Sequence, residues 1–160
     1  MAVSSVGAKV TPEAQLRSLI AKCDPRHQPL IRAVRSALRK RLPTANELVY
    51  AYANSLVISY SPSEHGIEGI VSTATRATGV DLYFNQGPKL PDPKKLLMGS
   101  AGQVRFIHLG TARRLTHPDV EALIVAAIAA SKVPLPATGR GRVIIRTDGE
   151  KKTPRRKTAK

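Results

Sequence analysis

The residues best placed to do chemistry lie between Gly79 and Pro93. Val80, Leu82 and Phe84 alternate with Asp81, Tyr83 and Asn85, the two-residue period of a strand with one apolar face and one face carrying a carboxylate, a phenol and an amide. Gly87 and the prolines at 88, 91 and 93 then stop the strand and stiffen its exit. Tyr83, Gln86, Gly87 and Lys89 form a candidate binding group there: a ring to pack, an amide to hydrogen-bond, a glycine that lets a backbone approach, and an ammonium to meet an anion. Arg105 is placed to assist from a neighbouring strand, and Arg76 to join the polar face. A sheet face that simply meets water accounts for the same alternation.

Other chemistries find little support. His27, His65, His108 and His117 are far apart, and no acid or cysteine beside them matches a zinc or iron spacing. Cys23 is the one cysteine, so there is no intrachain disulfide and no cysteine cluster; with Leu16, Leu19 and Ile20 at helical spacing it reads as a buried thiol. No Gly-x-Ser-x-Gly elbow is present. The acids before the C-terminal region are scattered through caps and turns, which sets up no pair for acid–base work. Gly99-Ser-Ala-Gly102 lacks the Lys-Ser/Thr ending of a phosphate-gripping loop and reads as a turn. No catalytic residue, metal ligand or cofactor follows from these spacings.

The elements that must carry the candidate group follow from caps and periodicity. Thr11, Pro12 and Glu13 open a helix that runs to about Lys22. Leu30, Ile31, Val34 and Leu38 set the apolar stripe of a second, with Arg32, Arg35 and Arg39 together on the opposite side as a basic ridge. Thr44-Ala-Asn-Glu47 resembles a capping box and predicts a short helix through about Tyr50. Strands are predicted at 56–60, from Ile67 to about Arg76, at the opening stretch and at 103–109, with Thr78-Gly79 turning a hairpin. Residues 94–98 make at most one or two helical turns. Thr116, Pro118 and Asp119 open a last helix to about Ser131, and 143–146 can add an edge strand. The expected fold is α+β: an antiparallel sheet of four to five strands packed against two N-terminal helices and one C-terminal helix. Residues 11–146 form one domain, 1–10 a flexible arm, and 147–160 a disordered basic tail.

Charge adds a second reading. The formal net charge is +15, and it is uneven: residues 1–131 carry 16 Lys/Arg against 9 Asp/Glu, whereas 132–160 carry 10 against 2. Arg140 and Arg142 in the Gly-Arg-Gly-Arg run, with Lys151, Lys152, Arg155, Arg156 and Lys157, can neutralise several phosphates, and Arg32, Arg35 and Arg39 can extend the contact. The run resembles a minor-groove hook, but Val143 stands where a proline is expected. The N-terminus is too weakly apolar for a signal peptide, and the longest apolar run, at 122–130, is too short to span a bilayer, so a cytoplasmic location without membrane attachment is expected.

From Glu47 to about Arg146 the chain resembles the YdhG-like family, a bacterial domain family of unknown function. The resemblance is carried by Glu47-Leu-Val-Tyr50, Leu82-Tyr-Phe-Asn-Gln-Gly87, Leu90-Pro-Asp-Pro93 with Leu96-Leu97 and Gly99-Ser100, Gln103-Val-Arg105, and Leu135-Pro-Ala-Thr-Gly-Arg140. It implies a small α+β domain, and, through one branch linked to frataxin-like iron chaperones, iron as a possible cargo. Such chaperones hold hard cations on clustered carboxylates. This basic chain has no acidic ridge, and no iron ligand is carried over.

Three functional expectations stand side by side. The first is a non-enzymatic cytosolic domain, monomeric or a small homo-oligomer, that binds an anionic small molecule or protein partner at the strand exit. The second is a nucleic-acid accessory protein acting through the basic tail and arginine ridge. The third is an iron chaperone.

Overall fold

A computed structural model describes residues 10–100 and 102–148. The order is α1 (Pro12–Ala21), α2 (Gln28–Arg41), β1 (Asn46–Tyr52), β2 (Ser55–Ser61), β3 (Val71–Arg76), β4 (Gly79–Phe84), β5 (Arg105–Leu109), α3 (Pro118–Ala130) and β6 (Val143–Asp148). The strands form one six-stranded sheet, β5-β4-β3-β2-β1-β6. Neighbours from β1 to β5 are antiparallel; β6 joins β1 in parallel, so the sheet is mixed. Among the described residues no helix is long and apolar enough to cross a membrane.

The fold class agrees with the sequence reading, and the extra strand comes from a correction. Residues 46–52 are extended, not helical. Glu47 does not reach back to Thr44 but turns into the interior, and Asn46 accepts from the Arg142 N–H (2.9 Å) and donates to the Ser63 carbonyl (3.0 Å). Leu48 and Val49 are both fully buried although they face opposite sides, so the alternation that announces a strand is hidden. A smaller correction concerns Ile67, which lies 89 % exposed on a 3-10 turn, with β3 beginning only at Val71. Residues 94–98 form no helix: the Asp92 carboxylate accepts from the Leu96 and Leu97 N–H groups, both at 2.8 Å.

Register decides which side chains meet. Val71, Thr73 and Thr75 on β3 stand opposite Phe84, Leu82 and Val80 on β4, and the last two oppose Ile107 and Leu109 on β5. This face packs with Leu16, Ile20, Ile31, Val34, Leu38, Leu123 and Ile124 from the helices into a single core. Truncating a large side chain there, such as Phe84, costs about 3–5 kcal/mol. The opposite face carries Arg76, Asp81, Tyr83, Phe106 and His108.

Capping follows the sequence at α1, where the Thr11 side chain accepts from the Ala14 N–H (3.1 Å). At α3 it shifts by one residue. His117 is the cap, its Nδ1 accepting from the Asp119 N–H (3.2 Å), while the Thr116 hydroxyl donates to the Arg113 carbonyl. Beyond the expected boundary at 146, β6 continues to Asp148.

Candidate anion-binding cleft

Tyr83 and Arg105 take opposite faces of the sheet, and Gly87 packs on Arg105. Tyr83 is half-buried, its ring stacked on Phe106 with centroids 5.1 Å apart, and its hydroxyl accepts from Arg76 Nη1 (3.0 Å). Arg76 also lies over the Tyr83 ring at 5.6 Å and reaches Asp81 at 3.5 Å. Asp81 in turn holds His108, with Oδ1 2.8 Å from Nδ1. Arg105 faces the other way: it pairs with Phe84, on the core side, and donates to the carbonyls of Gly102 and Val104. Gly87 is buried, and a Cβ there would meet Arg105, whose backbone N would lie at 2.8 Å. The glycine thus lets the loop cross β5. Gln86 caps the short turn Gly87–Lys89, and the Lys89 side chain is exposed.

The arginine ridge behaves differently from its helical projection. Arg35 is buried rather than solvent-facing. Its Nε and Nη2 fork onto Glu47, both at 2.9 Å, and its Nη1 and Nη2 reach Glu13 at 3.0 and 2.7 Å. The Tyr60 hydroxyl donates to Glu47 Oε2 (2.9 Å). One guanidinium therefore ties α1, α2 and β1 together. The signal was present in the spacing: 31, 34, 35 and 38 follow i, i+3, i+4, i+7, which places Arg35 inside the apolar stripe. Burial works against the charge on Arg35, but its hydrogen bonds to Glu13 and Glu47 win, and its pKa rises. Hydrogen bonding to Arg35 holds Glu13 down at about 2 against the opposing effect of burial. Burial, reinforced by the Glu47 charge, pushes the Tyr60 phenol well above its ordinary range.

Outside this knot the helices border an open cleft of about 680 Å³. Arg17 on α1, Arg32, Arg35, Arg39 and Lys40 on α2, and Arg140 from the segment leading into β6 all line it. Glu13 lies in the same wall, held by Arg17 at 3.0 Å and Arg35 at 2.7 Å, with Arg39 at 3.9 Å. Counting Glu47 behind Arg35, six cations face two carboxylates among the described residues, a local excess of four positive charges. Arg32 donates to the neutral Gln28 amide (3.2 Å). The structure thus brings Arg140, remote in sequence, to the same cleft as Arg32, Arg35 and Arg39 of α2. Lys40 and Arg17 were not singled out from sequence.

Other candidates are placed elsewhere. Arg142 extends to Glu64 (2.6 Å), and Gly141 packs so closely on the Ala45 carbonyl that a side chain would collide with it. The Gly-Arg-Gly-Arg run is therefore partly a splice into the sheet. Lys151, Lys152, Arg155, Arg156 and Lys157 lie outside the described residues. Burial raises the pKa of Cys23, which is half-buried and donates weakly to the Leu19 carbonyl. The histidines have separate duties, His27 on the Ala77 carbonyl (2.9 Å), His108 on Asp81 and His117 at the α3 cap. Among the described residues no three His, Cys, Asp or Glu side chains are grouped to hold a metal ion.

Comparison with protein-family models, with curated proteins and with solved structures finds no match.

Proposed function

We propose that this chain is a non-enzymatic binding protein for an anionic partner, which it takes in the cleft between α1, α2 and the segment entering β6. The carrying observation is the cation excess in that cleft: among the described residues six cationic side chains line it, with Glu13 as the one carboxylate in the wall. The buried Arg35 fork ties α1, α2 and β1 together, so the backbones that carry the outer cations are held in place and only their exposed side chains must order on binding. This moves the anion site away from the strand exit, where Tyr83, Gly87 and Arg105 are committed to packing and to backbone contacts.

Nucleic acid is the second reading, favoured by one observation. Arg140 lines the cleft, and the same chain continues into the basic run at 151–157. The resemblance to the YdhG-like family accords with a small α+β binding domain and belongs to this proposal, as does a cytosolic setting. Iron carriage does not: Glu13 and Glu47 are occupied by arginines.

The test is fluorescence anisotropy with labelled polyglutamate and with single-stranded DNA of about 20 nucleotides, across a salt series. Reversing charge at Lys40 and Arg140 together is expected to weaken binding at least about tenfold and to flatten the salt dependence. Affinity unchanged in that double variant sinks the proposal.

A further inference from the structure

The cationic cleft does not stop at α2. Ser36 and Lys40 also line a groove of about 560 Å³ on the other flank of that helix, against α3 and the turn Ala112–Thr116. Its walls are mainly apolar, with Ala33, Ala37, Leu38, Leu115 and Ile124. At its rim Arg41 and Glu121 satisfy one another at 2.8 Å, which leaves the exposed Lys40 as the cation common to both hollows. A positive strip and an apolar strip thus run side by side along one helix.

We infer that the anionic partner is a protein segment that folds as an acidic amphipathic helix, and this rests on the reading of the cleft given above. Its carboxylates lie over Arg32, Lys40 and Arg140, and its apolar face lies in the groove. Charge complementarity selects an acidic rather than a basic helix, because among the described residues the cleft carries an excess of four positive charges. Leu38, Leu115 and Ile124 floor the groove from the core, and Ala33 and Ala37 reach its surface; that apolar strip selects a helix over a phosphodiester chain, which would satisfy the cations and leave the two alanines facing water. The short side chains of Ala33 and Ala37 let a second helix axis approach to about 8 Å.

The experiment uses the full chain and four labelled probes. They are a peptide of about 18 residues with leucines along one helical face and glutamates elsewhere, a scrambled peptide of the same composition, polyglutamate, and single-stranded DNA. The patterned peptide is expected to bind at least about tenfold more tightly than the scrambled one. Ala33→Gln, at an exposed position on α2, should remove that advantage and leave polyglutamate affinity within about twofold. Equal affinity for the patterned and scrambled peptides, or tighter binding of DNA than of the patterned peptide, overturns the inference while leaving the cleft as an anion site. Failure of polyglutamate and DNA alike to bind overturns the cleft reading, and this inference with it.

Discussion

Arg35 and Glu47 meet inside the protein, two guanidinium nitrogens each 2.9 Å from a separate carboxylate oxygen, with both side chains at most 10 % exposed. A paired fork of this kind is stable while both halves are present; removing one leaves a buried charge without its partner.

Glu47→Gln keeps the shape and removes the charge. It is expected to destabilise the fold by about 3 kcal/mol, less than a complete loss of partners because Glu13 still holds Arg35. Urea unfolding with unchanged m-value checks this, and a variant within 0.5 kcal/mol of the parent (about the scatter of an ordinary surface change) contradicts it.

The acid limb of stability should carry the mark of Glu13. Its folded pKa of about 2 lies below the ordinary value of 4.5, so the unfolded chain binds the proton more readily between them. Stability is fully present above pH 4.5 and declines as pH falls toward 2. Water screens its exposed flank, which limits the contribution to about 1 kcal/mol. Glu13→Gln should flatten this part of a chemical-denaturation series against pH.

At the alkaline end the sign is opposite. The Tyr60 phenol binds its proton more tightly when folded, so its contribution is complete below pH 10 and declines above it. Tyr60→Phe should lose stability at neutral pH, by about 1–2 kcal/mol for the missing hydrogen bond to Glu47, and show a shallower alkaline decline. Equal alkaline slopes for both proteins count against this account.

Gly87→Ala separates packing from ligand approach. The new methyl meets Arg105, including its backbone N at 2.8 Å, so about 1–3 kcal/mol of stability should be lost while polyglutamate affinity stays within about twofold. Loss of binding with unchanged melting would return the glycine to a ligand site.

Much of the scaffold could be read from the chain because local chemistry and tertiary burial agree there. Thr11, Pro12 and Glu13 cap α1 as their types require, and Val80, Leu82 and Phe84 face the core while Asp81 and Tyr83 do not. The failures arise where a residue has two structural uses. Glu47 fits a capping box, and only the arrival of Arg35 from α2 and Tyr60 from β2 makes it an interior partner. The cleft was half legible: Arg32, Arg35 and Arg39 share a helix, but spacing could not show that Arg140, five strands and a helix later in sequence, returns beside them. The pairing of Tyr83 with Phe106 and of Asp81 with His108 depends on β4–β5 register, which no local pattern specifies.

The parallel partnership of β1 with β6 has a consequence for synthesis. Glu47 must wait for Val143 to emerge from the ribosome, so until then one edge of β1 has no strand beside it. Nascent chains halted before residue 143 should therefore depend on chaperones more than chains released after β6, because an open strand edge is a template for pairing between molecules.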